Sequence, residues 1–156
     1  MEAHGRLIAV SMSTQTGTRK SPIPVGVLRE NHGLVGDAHA GSQRQVSLLA
    51  WESIEKMRGQ GFSVDSGDFA ENLTTSGMVL HILAPGTRIR VGDAVLLEVT
   101  QIGKTCHSDC EIRRLTGQCV MPTEGVFAKV LIGGEVRSGD KIEVVGEAGE
   151  GSHSDS

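Results

Sequence analysis

The sequence predicts a mainly β fold, a barrel or folded sheet with a few short helices on its outside. Glycine is abundant, at 21 of 156 residues, whereas aromatic residues make up only 3% of the chain. Glycine supplies the backbone conformations that tight turns require, so this composition favours many turns between short strands over a helical bundle. Apolar segments of strand length recur between turn residues, without the long alternating helices of an α/β fold.

The first part of the chain predicts three strands and one helix. Trp51, Ile54 and Met57 repeat at helical spacing, which predicts a helix over residues 51–58 that Gly59 ends. The segment 13–24 is rich in Ser, Thr, Gly and Pro and predicts a flexible loop, which carries Lys20 among others. The strands are expected over residues 7–11, 25–29 and 45–50.

The second part of the chain predicts a loop over residues 62–73 and then mostly strands. Gly133 and Gly134 predict a hairpin turn that leads into Glu135 and Val136. A two-turn helix is expected over residues 110–116, within the cysteine-rich region. The strands are expected over residues 79–83, 87–91, 94–100, 126–132 and 141–145.

Length and composition predict one domain, at residues 5–145, followed by a disordered tail at 146–156. Three cysteines, with no signal-like apolar segment after Met1, indicate a reducing compartment, and the cytoplasm is the default. No apolar run approaches the roughly 20 residues of a membrane span. Acidic residues of the tail account for most of the net charge of −4, and the body shows neither a basic stripe nor tyrosines. Nucleic acid is therefore not an expected partner.

The densest reactive cluster contains three thiols. Cys106, Cys110, Cys119 and His107 lie within fourteen positions, and Lys104 precedes them by two residues. A thiolate is the reactive form of cysteine, and a neighbouring cation lowers the pKa of a thiol, so Lys104 and His107 are candidates to activate Cys106. Two alternatives remain: the cysteines are small buried hydrophobic residues, or the three thiols and an imidazole hold zinc or another soft metal.

A second candidate region is the loop over residues 31–44. Asp37 and His39 stand among glycine and alanine, where a backbone can approach a ligand closely, and Arg44 follows with a guanidinium suited to a phosphate or oxyanion. The alternative is a tight turn in which Asp37 bonds its own backbone. Asn72, in the run Glu71-Asn72-Leu73, is a weaker candidate, because it also suits a turn.

Six short motifs follow one another along the chain: Gly36-Asp37-x-His39-x-Gly41, Arg44-Gln45-Val46-Ser47-Leu48, Glu71-Asn72-Leu73, Gly92-Asp93, Gln101-Ile102-Gly103-Lys104-x-Cys106-His107 and Cys119-x-Met121-Pro122-x-x-Gly125-x-Phe127-Ala128. In this order and spacing they resemble a MOSC domain, the module named for the C-terminal part of molybdenum cofactor sulfurase. The resemblance covers about residues 5–145 and is greatest to the short stand-alone members of the family.

The resemblance implies a MOSC-type β-barrel that binds the molybdenum cofactor (molybdopterin) or handles sulfur, with Cys106 at the family's characteristic cysteine. Thiolate sulfur suits both a molybdenum ligand and a persulfide carrier. The pyridoxal-phosphate desulfurase domain of the larger sulfurases is missing from this sequence. The resemblance assigns no role to Cys110 and Cys119, which remain candidates for resolving thiols or additional ligands.

The first hypothesis is thus a carrier or sulfur-transfer domain of molybdenum-cofactor metabolism. Cys106 binds molybdenum or holds a persulfide, while the cofactor-binding side chains are expected to be Asp37, His39, Arg44, Asn72, Lys104 and His107. Expected partners are molybdenum-cofactor biosynthesis proteins or molybdoenzymes, and the oligomeric state stays open. The rival hypotheses are a zinc or soft-metal protein without catalysis and a reductase that depends on the molybdenum cofactor.

Overall fold

The computed structural model describes residues 4–15, 18–42, 44–103 and 124–146. The predicted helix over 110–116, all three cysteines and residues 147–156 of the predicted tail lie outside these ranges. Residue 146, the first of that predicted tail, is instead the last residue of a strand. Within them, no helix is both long and apolar enough to cross a membrane. The described elements are the strands β1 (His4–Met12), β2 (Ser21–Ile23), β3 (Gly26–Arg29), β4 (Gly33–Leu34), β5 (Val46–Ala50), β6 (Leu73–Ser76), β7 (Arg88–Val91), β8 (Val95–Ile102), β9 (Val126–Ile132), β10 (Gly134–Val136) and β11 (Lys141–Gly146), the helix α1 (Trp51–Gly59) and a 3-10 turn (Leu80–Ile82).

Seven strands close into a barrel, in the order β11-β7-β8-β9-β5-β6-β1, with β1 pairing back to β11. The predicted mainly β barrel is therefore confirmed. Strand β2 extends the sheet beside β1, and β10, β3 and β4 form a separate small sheet. Strands β5 and β6 are a parallel pair, which requires a crossover connection, and α1 lies in that connection.

Two apolar clusters hold the fold together. The barrel interior is filled by aliphatic side chains from almost every strand, such as Leu7, Leu48 and Leu97, each at most 1% exposed. A second cluster lies outside the barrel wall, where Ile54 and Met57 of α1 pack with Phe69 and Phe127. Strand β5 separates the two clusters and is buried along its whole length, as is typical of a strand covered on both faces. The predicted apolar face of α1 is confirmed.

At three places the local structure differs from the one expected. The expected strand over 79–83 is a 3-10 turn, in which Leu80 is buried while Ile82 is 72% exposed. Strand β6 was not predicted, because Thr74 and Thr75 are buried polar residues and its sequence lacks the apolar alternation of a strand. The glycine pair 133–134 does not make a hairpin, since β10 pairs with β3 instead of β9.

The segment 13–24 also differs from the flexible loop expected there. It contains strand β2, and Lys20 immediately before that strand is 3% exposed. The backbone N–H of Lys20 donates to the carbonyl oxygen of Gly67 at 2.8 Å, which fixes this part of the chain against the turn before β6.

Candidate functional site

The loop after β4 folds over one end of the barrel and is fastened to the end of β1. The N–H of Ala38 donates to the carbonyl oxygen of Ser13 at 2.8 Å, and the N–H of Ser13 donates to Oδ1 of Asp37 at 3.1 Å. Strand β1 runs antiparallel to β6, and β6 runs parallel to β5. The last residues of β1 and the first residues of β5 and β6 therefore lie at the same end of the barrel. Arg44 and Asn72, which come just before β5 and β6, lie at that same end.

A buried ion pair anchors the loop. Nζ of Lys20 donates to Oδ1 of Asp37 at 2.9 Å, and the two side chains are only 1% and 0% exposed. Two charges are removed from water only at a large free-energy cost, which their close pairing offsets. Burial alone raises the pKa of Asp37, but contacts with the side chains of His39 and Lys20, and N–H groups of His39 and Ser13, outweigh burial and hold that pKa well below its ordinary value.

His39 lies beside this ion pair, with part of its ring open to solvent. Its backbone N–H donates to Oδ2 of Asp37 at 3.0 Å. Its Nδ1 lies 3.4 Å from Nζ of Lys20 and 3.6 Å from Oδ2 of Asp37, and the side chain is 25% exposed. The two charged groups thus hold one edge of the imidazole inside the protein and leave the other edge available to a ligand.

Arg44 is connected to His39 through Ser42. Oγ of Ser42 donates to the carbonyl oxygen of His39 at 2.7 Å and accepts the N–H of Arg44 at 3.1 Å. The guanidinium of Arg44 lies over the ring of Phe127, 5.5 Å from its centroid, a distance suited to a cation–π contact. Arg44 is only partly buried, so its charge remains accessible beside the barrel wall.

Phe127 also marks the place where the cysteine-bearing segment leaves the barrel. Strands β8 and β9 pair as far as Ile102 and Val126, and the N–H of Gly103 donates to the carbonyl oxygen of Gly125 at 2.6 Å. The two residues that flank the cysteine-bearing segment are therefore in contact with each other, and Gly125 lies two positions before Phe127 in the chain.

The predicted site residues fall into three groups. Asp37 and His39 are in contact, and Arg44 belongs to the same loop. Asn72 is separate: its side chain is completely buried, with Oδ1 accepting from the N–H and hydroxyl of Ser47 and Nδ2 donating to the carbonyl oxygen of Ser11. These bonds tie β6 to its neighbours, and a cofactor contact of Asn72 stays a prediction. The remaining predicted residues, which lie outside the described ranges, are Lys104, Cys106, His107, Cys110 and Cys119.

Lys20 is the functional candidate that the sequence did not reveal. A lysine in a polar, glycine-containing segment is normally exposed, and nothing in its local pattern indicates a buried partner 17 positions away. Its contacts with Asp37 and His39 make a compact polar group, and Arg44, in the same loop as His39, adds a partly exposed positive charge. Such a group suits an anionic, oxygen-rich ligand. In the described part of the chain, no three metal-ligating side chains are grouped as a metal site would require.

Comparison with known proteins identifies the family. The MOSC domain profile matches residues 35–143. Similar solved structures include the YuaD protein from Bacillus subtilis, with a TM-score of 0.76 at 17% identity over 92% of this chain and 97% of that chain. YiiM from Escherichia coli has a TM-score of 0.63 at 19% identity, over 92% and 71% of the two chains. YiiM from Geobacillus stearothermophilus has a TM-score of 0.63 at 17% identity, over 90% and 73%. No curated protein sequence matches the chain.

Proposed function

Because the chain belongs to the MOSC domain family, we propose that it binds the molybdenum cofactor and acts as a carrier or sulfur-transfer domain through Cys106. The observation that carries the proposal is the group formed by Lys20, Asp37 and His39, with Arg44 beside the base of the segment that bears Cys106. Molybdenum-cofactor biosynthesis proteins or molybdoenzymes are the proposed partners.

The described side chains fit a cofactor that carries phosphate and oxo groups. Arg44 offers a planar set of N–H donors suited to a phosphate, and its contact with Phe127 holds the guanidinium in place. His39 exposes one ring edge next to buried positive charge. Asp37 neutralises the buried charge of Lys20. The positive charge offered to an anion therefore comes from Arg44, which is only partly buried.

Cys106 is proposed to hold the reactive sulfur. A thiolate is a soft ligand for molybdenum. It can also take a sulfane sulfur atom from a donor persulfide, whose own thiolate is the leaving group. Lys104 and His107 are expected to lower the pKa of the Cys106 thiol and so to raise its thiolate fraction. The cofactor, when bound, would supply a redox-active metal; the protein would supply the thiolate, the anion-binding cations and the orientation.

The test is metal, pterin and sulfur analysis of protein purified without oxygen. Wild type is expected to contain molybdenum with pterin, or a persulfide found as one extra sulfur atom on the Cys106 peptide. Cys106→Ser should lose both and keep the circular dichroism of the folded barrel, whereas Cys110→Ser and Cys119→Ser serve as matched controls that retain them. Zinc alone, lost from each of the three variants, would contradict the proposal and support the soft-metal hypothesis.

A further inference from the structure

The position of one proton on His39 depends on two charged neighbours. Nζ of Lys20 lies 3.4 Å from Nδ1 of His39, and Oδ2 of Asp37 lies 3.6 Å from the same atom. An ammonium has three donors and no acceptor, so a bond from Lys20 requires Nδ1 without a proton. A carboxylate is an acceptor only, so a bond to Asp37 would require Nδ1 to carry the proton.

The hydrogen-bond donors of buried Lys20 favour Nδ1 of His39 without a proton. The side chain of Lys20 is 1% exposed, so the protons of its ammonium cannot all be satisfied by water. Oδ1 of Asp37 accepts one of them, and Nδ1 of His39 is the acceptor for a second. A proton on Nδ1 would favour the ionised form of Asp37, but Oδ2 of Asp37 lies 3.6 Å from Nδ1, which is too far for a hydrogen bond. The oxygens of Asp37 already accept the N–H groups of Ser13 and His39.

We propose that Lys20 is a positioning residue that keeps neutral His39 in the tautomer with its proton on Nε2. The exposed edge of the ring then presents an N–H donor, and the ligand atom that it recognises is an oxyanion oxygen, from a phosphate or an oxo group. A metal ion would instead need the lone pair of Nε2 and a proton on Nδ1, next to the ammonium. His39 is therefore assigned to anion recognition and not to metal ligation.

This inference rests on the proposed function only for the identity of the ligand, since the tautomer exists in the protein alone. Nitrogen-15 NMR of histidine-labelled full-length protein at about pH 8.5, where histidine is ordinarily neutral, reports the tautomer directly. Wild type should show the Nε2–H form of His39. Lys20→Met should move the proton to Nδ1, toward Asp37, whereas Lys141→Met, which removes a side chain that is 58% exposed, should change nothing.

A second pair of variants keeps the inference testable if Lys20→Met does not fold. In His39→Gln, the side-chain oxygen can accept from Lys20 while the amide N–H donates outward, as the proposed tautomer does. In His39→Asn, the side chain is too short to do both. Titrations with inorganic phosphate and with molybdate should show His39→Gln close to wild type. The His39→Asn variant should bind roughly tenfold more weakly, the loss expected for a hydrogen bond to a charged group.

The outcomes separate this inference from the proposed function. A response to phosphate alone assigns the donor to a phosphate group, and a response to molybdate alone assigns it to an oxo group. A wild-type His39 with its proton on Nδ1, an unchanged tautomer in Lys20→Met, or no response to either anion would overturn the inference, even if the purified protein contains the cofactor. The predicted tautomer with anion binding, in a protein that never binds the cofactor, would leave the inference standing and refute the proposed function.

Discussion

Two buried carboxylates in this barrel are stabilised by different means. Asp37 is paired with Lys20 and stays ionised. Glu71 is 0% exposed and, within the described residues, accepts hydrogen bonds from the N–H groups of Gly67 and Phe69 and the hydroxyl of Thr74. Burial raises the pKa of Glu71 from 4.5 to about 7, because these neutral donors do not fully replace water around the charged form.

The Glu71 carboxyl should make stability depend on pH. The folded protein keeps the proton up to about pH 7, while the unfolded chain loses it near pH 4.5. The contribution of Glu71 to the free energy of unfolding is thus unaffected by pH below about 4.5, falls by about 3 kcal/mol as pH rises to 7, and is constant above it. Glu71→Gln should lose this fall, as measured by urea unfolding from pH 4.5 to 8.

The matched control is Glu55→Gln, on the exposed face of α1. It should keep the wild-type pH dependence. An identical slope in wild type and Glu71→Gln between pH 5 and 7 would show that Glu71 is ionised throughout this range in the folded protein.

At the scale of elements, the turn before β6 positions the residues that precede β2. Gly67 has a φ of +86°, and a Cβ there would lie 2.3 Å from the carbonyl oxygen of Lys20. The N–H of Lys20 in turn donates to the carbonyl oxygen of Gly67. Only glycine allows both this backbone conformation and this close approach. The turn therefore fixes the position of the Lys20 backbone against residue 67.

Gly67→Ala should therefore be more destabilising than an alanine at another glycine with positive φ. Gly139 is the control, because its φ is +99° and a Cβ there would have no atom within 4 Å. We expect Gly139→Ala to cost about 1 kcal/mol of unfolding free energy, from backbone strain alone, and Gly67→Ala to cost about 3 kcal/mol or more, since strain adds to the clash. Equal losses in denaturant unfolding would mean that the contact with Lys20 relaxes freely.

The sequence predicted correctly those elements in which apolar residues recur at strand or helix spacing on the buried face. Strand β9 was predicted with its observed bounds, and α1 was predicted from Trp51, Ile54 and Met57. Strand β6 was missed because Thr74 and Thr75 are buried polar residues without an apolar alternation. The segment 79–83 is rich in apolar residues, which predicts a strand, but Val79 and Ile82 face solvent.

At the scale of the whole molecule, the barrel closes through its first and last described strands. Residues 4–6 of β1 pair with 141–143 of β11, which also pairs with β7. Closure removes the open edges that a seven-stranded sheet would otherwise expose. The contact of Lys20 with Asp37, 17 positions away in the chain, is also a tertiary contact. This explains why the sequence revealed Asp37, His39 and Arg44 as candidates but not the lysine that pairs with Asp37.

Two truncations should separate the barrel from the predicted tail. A chain that ends at residue 146 keeps β11 complete and should melt within about 2 °C of the full chain, because residues 147–156 contain too few apolar groups to offset the entropy of ordering them. A chain that ends at residue 140 loses β11 and should not fold. Circular dichroism melting curves measure both, and a clear loss of melting temperature in the longer truncated chain would refute the disordered tail.

Reconstitution with the cofactor itself tests whether this chain binds it. Molybdenum cofactor released from a purified molybdoenzyme is mixed, without oxygen, with metal-free protein and separated by gel filtration, and pterin fluorescence is measured in the protein fraction. Wild type is expected to retain about one pterin per chain at saturation, whereas Cys106→Ser and Arg44→Met elute with little or none. Cofactor that elutes free from wild type, or that is retained equally by all three proteins, would contradict a cofactor site built from the 35–44 loop and Cys106.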